Sequence, residues 1–282
     1  MNLVAYALSD FGRIKMKQFI ANAFTNQNAA DPIFTGNPAA VCVLNRWIQD
    51  ETMRQIAIEN NLSETAFTVK EDAGYRLRWF TPGGEINLCG HATLATAFIL
   101  FNYYEHDSQE IHFQSAGGNL SVTRCDDTYE LDFPVYDYQE VEVNDAMERA
   151  FGIRPQQVIL SRDLLAVFES EETVRQLKPN FVELAKLPGL CVGATAPGKD
   201  FDCVSRVFAP KLKVEEDPVT GSTHCLITHY WSKRLGKSKL TAFQASERSG
   251  VLYCEQVGNR VKIAGSAELF SIAEILPNYF KK

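Results

Sequence analysis

Phe80-Thr81-Pro82-Gly83-Gly84-Glu85-Ile86-Asn87-Leu88-Cys89-Gly90-His91-Ala92-Thr93-Leu94-Ala95-Thr96-Ala97-Phe98-Ile99-Leu100-Phe101 is the stretch that decides the fold. Just before it, Tyr75 to Phe80 alternates in the manner of a strand. Thr81-Pro82-Gly83-Gly84 is turn chemistry. From Gly90 onward the residues are apolar or small on every side, and no charge follows until Glu105. A helix that is apolar all round is buried, here as the centre of a domain. It opens with Cys89-Gly90-His91 and lacks an ordinary side-chain cap. The first N–H groups of a helix have no internal partners and carry partial positive charge. Gly90 lets a ligand come close to that backbone. Together these features predict an anion at the helix start.

The same arrangement returns downstream. Phe208-Ala209-Pro210 matches Phe80-Thr81-Pro82, and Thr220-Gly221-Ser222-Thr223 opens a second apolar helix that runs through Trp231. Phe113-Gln114-Ser115 is echoed by Phe243-Gln244-Ala245. Gly90 and Gly221 are 131 residues apart, and Phe113 and Phe243 are 130 apart. Two domains of one architecture are expected, each with a strand, a glycine-opened central helix and a hairpin. Their helix N-termini would face each other across one cleft.

With 282 residues, the chain has room for two cores. A net charge of −7 and a pI near 5.4 make a nucleic-acid backbone an unsuitable partner. No apolar run reaches membrane-spanning length and no signal peptide is visible. The seven cysteines are scattered with no C-x-x-C pair, which fits a reducing cytoplasm and argues against structural zinc or a disulfide framework.

In chain order, Met1 to Lys15 reads as an extension, with Met16 a candidate start. Ala39 to Leu44 is a strand, Glu51 to Asn60 a helix, and Asn60-Asn61-Leu62-Ser63 ends that helix, so Glu64 sits at a junction beside an apolar strand. The first domain is read as residues 1–133 and the second as 134–282, with an irregular acidic linker from Val135 to Val143. Asn144 to Phe151 and Glu171 to Leu187 look helical, and Val261 to Ala264 and Ala267 to Ile272 look like separate late strands. The end, from Ile275, is expected to pack back on the first domain.

Four motifs in order resemble the phenazine-biosynthesis isomerase (PhzF) family: Gly36-Asn37-Pro38-Ala39-Ala40-Val41, Asn61-Leu62-Ser63-Glu64-Thr65, Cys89-Gly90-His91-Ala92-Thr93 and Glu216-Asp217-Pro218-Val219-Thr220-Gly221-Ser222. The resemblance runs from Met16 to the C-terminus. It implies an α+β protein of the diaminopimelate epimerase-like fold, with two pseudo-symmetric domains, each a curled β-sheet around a central helix. It also implies a homodimer without metal or organic cofactor, acting on a small-molecule carboxylate held between the domains. By the same resemblance Glu64 is the acid/base, His91 positions substrate near the proton's path, and Asp217 and Ser222 complete the catalytic set. Gly90, Gly221, Cys89, Thr223 and Asn37 become candidate substrate contacts.

The chemistry this predicts is proton abstraction next to an electron-withdrawing group, followed by proton return. Free carboxylates are weak bases for such carbon acids, and a water-poor cleft strengthens them. Isomerisation needs one group that returns the proton at a different atom, whereas racemisation needs two bases on opposite faces. Epimerase and racemase relatives use two thiols, one at each helix start. Cys89 occupies the first position, but Thr223 stands at the second and Cys225 is two residues too far along. An isomerase with Glu64 as its single acid/base is therefore the first reading. A racemase or epimerase using Glu64 or Cys89, and a binding protein that keeps the fold, are the alternatives.

Overall fold

Residues 16–72 and 74–276 are described in a computed structural model, where they form a mixed sheet of 17 strands with helices at the crossovers. Two runs of strands pair in the same order. In the first, Met16–Thr25 is antiparallel to Asn37–Leu44, which crosses through the helix Asp50–Asn60 to the parallel strand Glu64–Glu71. Glu64–Glu71 turns back into Gly74–Thr81, which crosses through the helix Gly90–Tyr103 to the parallel strand Glu110–Ser115. Antiparallel Gly118–Cys125 and Thr128–Pro134 complete the run.

The second run uses Gln157–Leu160, Leu164–Val167, Val192–Pro197, Cys203–Ala209, Lys239–Gln244, Gly250–Val257 and Arg260–Ile275, with the same succession of antiparallel and parallel pairs. The helix Gly221–Leu235 occupies the crossover that Gly90–Tyr103 occupies in the first. Parallel neighbours require such a crossover, which is why an apolar helix follows each Phe-x-Pro turn.

In the helix Gly90–Tyr103, residues 90 to 97 and 99 to 101 are buried, as the all-round apolar pattern requires. Its threonines stay satisfied by turning back on their own backbone: Thr93 Oγ1 donates to the Cys89 carbonyl and Thr96 Oγ1 to that of Ala92. One apolar cluster contains Leu94, Leu100 and Phe101 of this helix together with Leu226, Ile227 and Trp231 of the other. The core therefore runs through from one central helix to the other. The last strand explains this continuity, because it pairs with Gly250–Val257, Thr128–Pro134 and Met16–Thr25.

Some elements differ from the sequence reading. The helix expected over Glu171 to Leu187 is two short helices, Glu171–Gln176 and Phe181–Leu184. Pro179 lacks an N–H and disfavours helix in the residue before it, and Asn180 then caps the second piece. The two late strands are one, Arg260–Ile275, because Gly265 is not a breaker. A methyl there would stand 2.4 Å from the Phe24 ring, so the glycine makes room for that side chain while the strand continues. Phe24 itself has a positive φ of 59° at a register shift opposite that strand.

The segment read as an irregular linker contains a strand, Gln139–Val141, on Gln157–Leu160. Ile275 pairs with Met16, so the chain end returns to the first strand. The extension proposed for Met1 to Lys15, and residues 277–282, lie outside the described residues. Among the described residues no helix is long and apolar enough to cross a membrane.

Candidate active site

Local chain geometry aims Glu64. Asn61 adopts the left-handed conformation, φ 49°, and its N–H closes the preceding helix on the carbonyls of Ala57 and Ile58. Asn60 accepts from Gln18 at 2.9 Å and donates to Thr65 Oγ1 at 3.0 Å. The chain thus enters its strand at Glu64, in register with Ala39, and the Glu64 side chain is 14% exposed.

The two central helices begin without side-chain caps at Cys89 and Thr220, whereas Asn144, Ser170 and Asn180 cap theirs. The uncapped N-termini meet. A methyl on Gly90 would stand 3.6 Å from Gly221 Cα and 3.8 Å from the Ser222 nitrogen. A cavity of about 530 Å³ opens there. Glu64, His91, Asp217 and Ser222 all line it, with Cys89, Gly90 and Gly221. Its remaining walls include the apolar Pro82, Ile86, Leu88, Leu190, Leu212 and Val214.

His91 is the hub. Its Nε2 is 3.0 Å from Glu64 Oε2, and its Nδ1 is 3.1 Å from Asn37 Nδ2 and 3.6 Å from Cys89 Sγ. Glu64 Oε2 and His91 Nε2 face each other as a buried ion-pair contact, and neither atom has a further hydrogen-bond partner among the described residues. Asn37 Nδ2 also donates to Asp217 Oδ1 at 2.8 Å and to the Val219 carbonyl at 2.9 Å. An amide nitrogen carries two hydrogens, so three neighbours oversubscribe it. A proton on His91 Nδ1, directed at Cys89, relieves that conflict.

Burial works against a charged His91, but the adjacent Cys89 and Glu64 outweigh it and raise the imidazole well above its ordinary value. Burial, reinforced by Glu64, lifts the Cys89 thiol. Burial also lifts Asp217 to about 6; Glu64 adds to the rise, while His91, Thr220 and Asn37 restrain it. Asp217 Oδ2 accepts from Thr220 Oγ1 at 2.6 Å. Gln244, from the repeated Phe-Gln mark, holds the same turn: its Nε2 donates to the Asp217 carbonyl at 2.6 Å and its Oε1 accepts from the Thr220 N–H at 2.8 Å.

Two of the candidate substrate contacts, Asn37 and Thr223, do not line this cavity. Asn37 is fully buried and donates to Asp217 Oδ1 and the Val219 carbonyl, so it supports Asp217. Thr223 is also fully buried and donates to the buried Asp163 Oδ2 at 2.8 Å. Arg162, which lines the cavity, and the buried Asp163 were not singled out from the sequence. Their signal is faint: a charged Arg-Asp pair directly before the all-apolar strand Leu164–Val167.

One atom each from Glu64, Cys89 and His91 lies within 4.8 Å of the others, a donor set that a metal ion could use. His91 faces Glu64 with one nitrogen and Cys89 with the other, so a single bound ion would need the ring or its neighbours to move.

The profile of the phenazine biosynthesis-like protein family, PhzC-PhzF, matches residues 21–272. The chain belongs to that family. An uncharacterized isomerase of Pseudomonas aeruginosa is 49% identical over 243 residues, which cover 86% of this chain and 93% of that protein. The crystal structure of a PhzF-family phenazine biosynthesis protein from Enterococcus faecalis superposes with a TM-score of 0.89 at 48% identity, covering 93% of this chain and 99% of the other. A hydroxyproline epimerase from Agrobacterium vitis, solved with trans-4-hydroxy-L-proline, superposes with a TM-score of 0.59 at 10% identity over 94% of each chain. That likeness shows the epimerase-like fold alone. Phenazine biosynthesis-like membership thus rests on nearly the whole described chain.

Proposed function

We propose that this phenazine biosynthesis-like protein is a cofactor-independent isomerase that moves a proton on a small carboxylate, with Glu64 as the single acid/base. The observation that carries the reading is the convergence of a buried carboxylate–imidazole pair, Glu64 Oε2 and His91 Nε2 at 3.0 Å, on a cavity at two uncapped helix N-termini. The helix-start N–H groups have no side-chain cap, so an anionic ligand that pairs with them gains what the free protein lacks.

In this mechanism the substrate carboxylate accepts hydrogen bonds from the backbone N–H groups at Gly90 and Gly221. Glu64 removes a proton from the carbon beside an electron-withdrawing group. The helix N-termini and a protonated His91 stabilise the enolate-like charge that develops. Glu64 then returns the proton at another carbon, leaving no net change in charge or oxidation state. Asp217, pinned by Asn37 and Thr220, fixes the substrate in the same cavity.

A racemase using Cys89 would need a second base on the opposite face, and Thr223, at the matching position, has its hydroxyl engaged with Asp163. This supports the single-base reading. The repeated strand order supports two pseudo-symmetric domains, residues 1–133 and 134–282, each a curled sheet around its central helix. A homodimer in the cytoplasm belongs to the same reading.

Solvent-deuterium exchange into a panel of small unsaturated and amino carboxylates tests it. Exchange accompanied by isomer formation is the expected result. Exchange with inversion at one carbon would make the protein an epimerase, and binding without exchange would make it a binding protein.

A further inference from the structure

Arg162 approaches the cavity from the loop between Gln157–Leu160 and Leu164–Val167, and no step above uses it. Its Nε and Nη2 donate to Asp163 Oδ1 and Oδ2 at 3.2 and 3.1 Å, and Nη2 also donates to Ser222 Oγ at 2.8 Å. The guanidinium lies over the Tyr136 ring, 5.8 Å from its centroid. Asp163, 2% exposed, is in turn held by the Cys191 N–H at 3.1 Å and by the Thr223 hydroxyl at 2.8 Å. The charge of Asp163 is thus shared among three donors, and the planar group is locked with a side-chain exposure of 29%.

A locked guanidinium at a cavity wall has two consequences. The Ser222 oxygen accepts from Arg162, so its single proton is free to point at a ligand. The Nη1 edge, away from Asp163, adds further donors of fixed direction. Glu64 and Asp217 line the same cavity and offer acceptors, so it presents groups of both charges. Lys213 also lines the cavity and adds a second cation contributed by the later part of the chain. The volume, about 530 Å³, exceeds what a carboxylate with a short side chain fills.

We infer that Arg162 and the Ser222 hydroxyl form a second oxyanion subsite, so the substrate is a dianion: one carboxylate at the paired helix N-termini and another acidic group at Arg162. This rests on the proposed function only for the place of the first carboxylate. The apolar residues Leu190, Leu212 and Val214 cover the body that joins the two groups. Arg162 is then a specificity-determining residue and takes no part in proton transfer.

The test is direct binding by titration calorimetry of the α,ω-dicarboxylates from malonate to adipate, each against the monocarboxylate of equal chain length. At least one diacid is expected to bind roughly tenfold or more tighter than its partner acid. Arg162→Met should bring that diacid to the monoacid level and leave monoacid binding unchanged. Because this change strands the Asp163 charge, Arg162→Met/Asp163→Asn, which removes both charges together, serves as the second variant. Arg162→Lys should restore part of the preference. Equal binding of diacids and monoacids by the unaltered protein, or an undiminished diacid preference in both Met variants, overturns the inference without touching the isomerase reading. Failure of every acid to bind overturns both.

Discussion

The two central helices begin in the same local frame and carry different chemistry. At Gly90 the neighbours are Cys89, His91 and Glu64, three titratable groups whose polar atoms face one another. At Gly221 they are Thr220, Ser222 and Asp217, each tied by hydrogen bonds to Gln244, Arg162 or Asn37. One start is a cluster of titratable groups facing one another and the other is braced by directed hydrogen bonds. Clustered titratable groups with shifted pKa values are a feature of sites that exchange protons, and braced groups of sites that hold a ligand still. A duplicated frame therefore separates proton movement from substrate fixation without changing the backbone.

The sharpest way to break this contrast is at Glu64. Glu64→Gln keeps the size and much of the hydrogen bonding but cannot accept a proton. Turnover, read as solvent-deuterium exchange, should fall by roughly 10² to 10⁴ or more while carboxylate binding persists. Activity surviving in this variant would remove the carboxylate from the mechanism.

Gly90→Ala probes the shared anion position. The added methyl meets Gly221 Cα and the Phe133 ring at 3.6 Å, ordinary contact distances, so folding stability should change by less than about 1 kcal/mol. Carboxylate affinity should nonetheless drop by roughly tenfold, because the methyl occupies space between the two helix starts. Unchanged affinity, measured by titration calorimetry, would place the anion elsewhere.

Asp217 gives a pH signature on the braced side. Its carboxyl is raised by burial from 3.8 to about 6, so between those values the folded chain keeps a proton that the unfolded chain has released. Its contribution makes stability decline as pH rises through that window, by up to roughly 3 kcal/mol in all. Urea unfolding at pH 4, 5, 6 and 7 should show a flatter profile for Asp217→Asn than for the unaltered protein. Parallel profiles would mean that Asp217 folds without this burden.

The smallest effect is expected at Cys89. Cys89→Ala should lower exchange by less than about tenfold, since a two-thiol cycle has no partner at Thr223 and the thiol is raised by burial. A dead Cys89→Ala enzyme beside an active Glu64→Gln enzyme would reverse the assignment and favour a thiol-based epimerase.

How much of the molecule was legible from sequence depends on the range of the interaction. The central helices were readable because an all-round apolar face has only one stable environment, the interior. The junction at Glu64 was readable because Asn61 and Ser63 end a helix by local chemistry. The Pro179 break is readable in principle, since proline acts on its own neighbours. Gly265 misled because the residue that needs its space, Phe24, is remote in sequence and adjacent in space.

By itself the sequence determined the repeated strand–helix frame, the burial of both central helices and the residues at their starts, all of which depend on periodicity and on turn and cap preferences within a few residues. Tertiary structure alone decided that Asn37 bridges to Asp217 across 180 residues, that Thr223 turns inward to Asp163, and that Arg162 reaches Ser222 across 60. An asparagine in a Gly-Asn-Pro loop and an Arg-Asp pair before a strand look like ordinary surface features to any local rule. Their roles exist only because the last strand of the second run pairs with two strands of the first and one core runs through both, which sets the helix starts in contact.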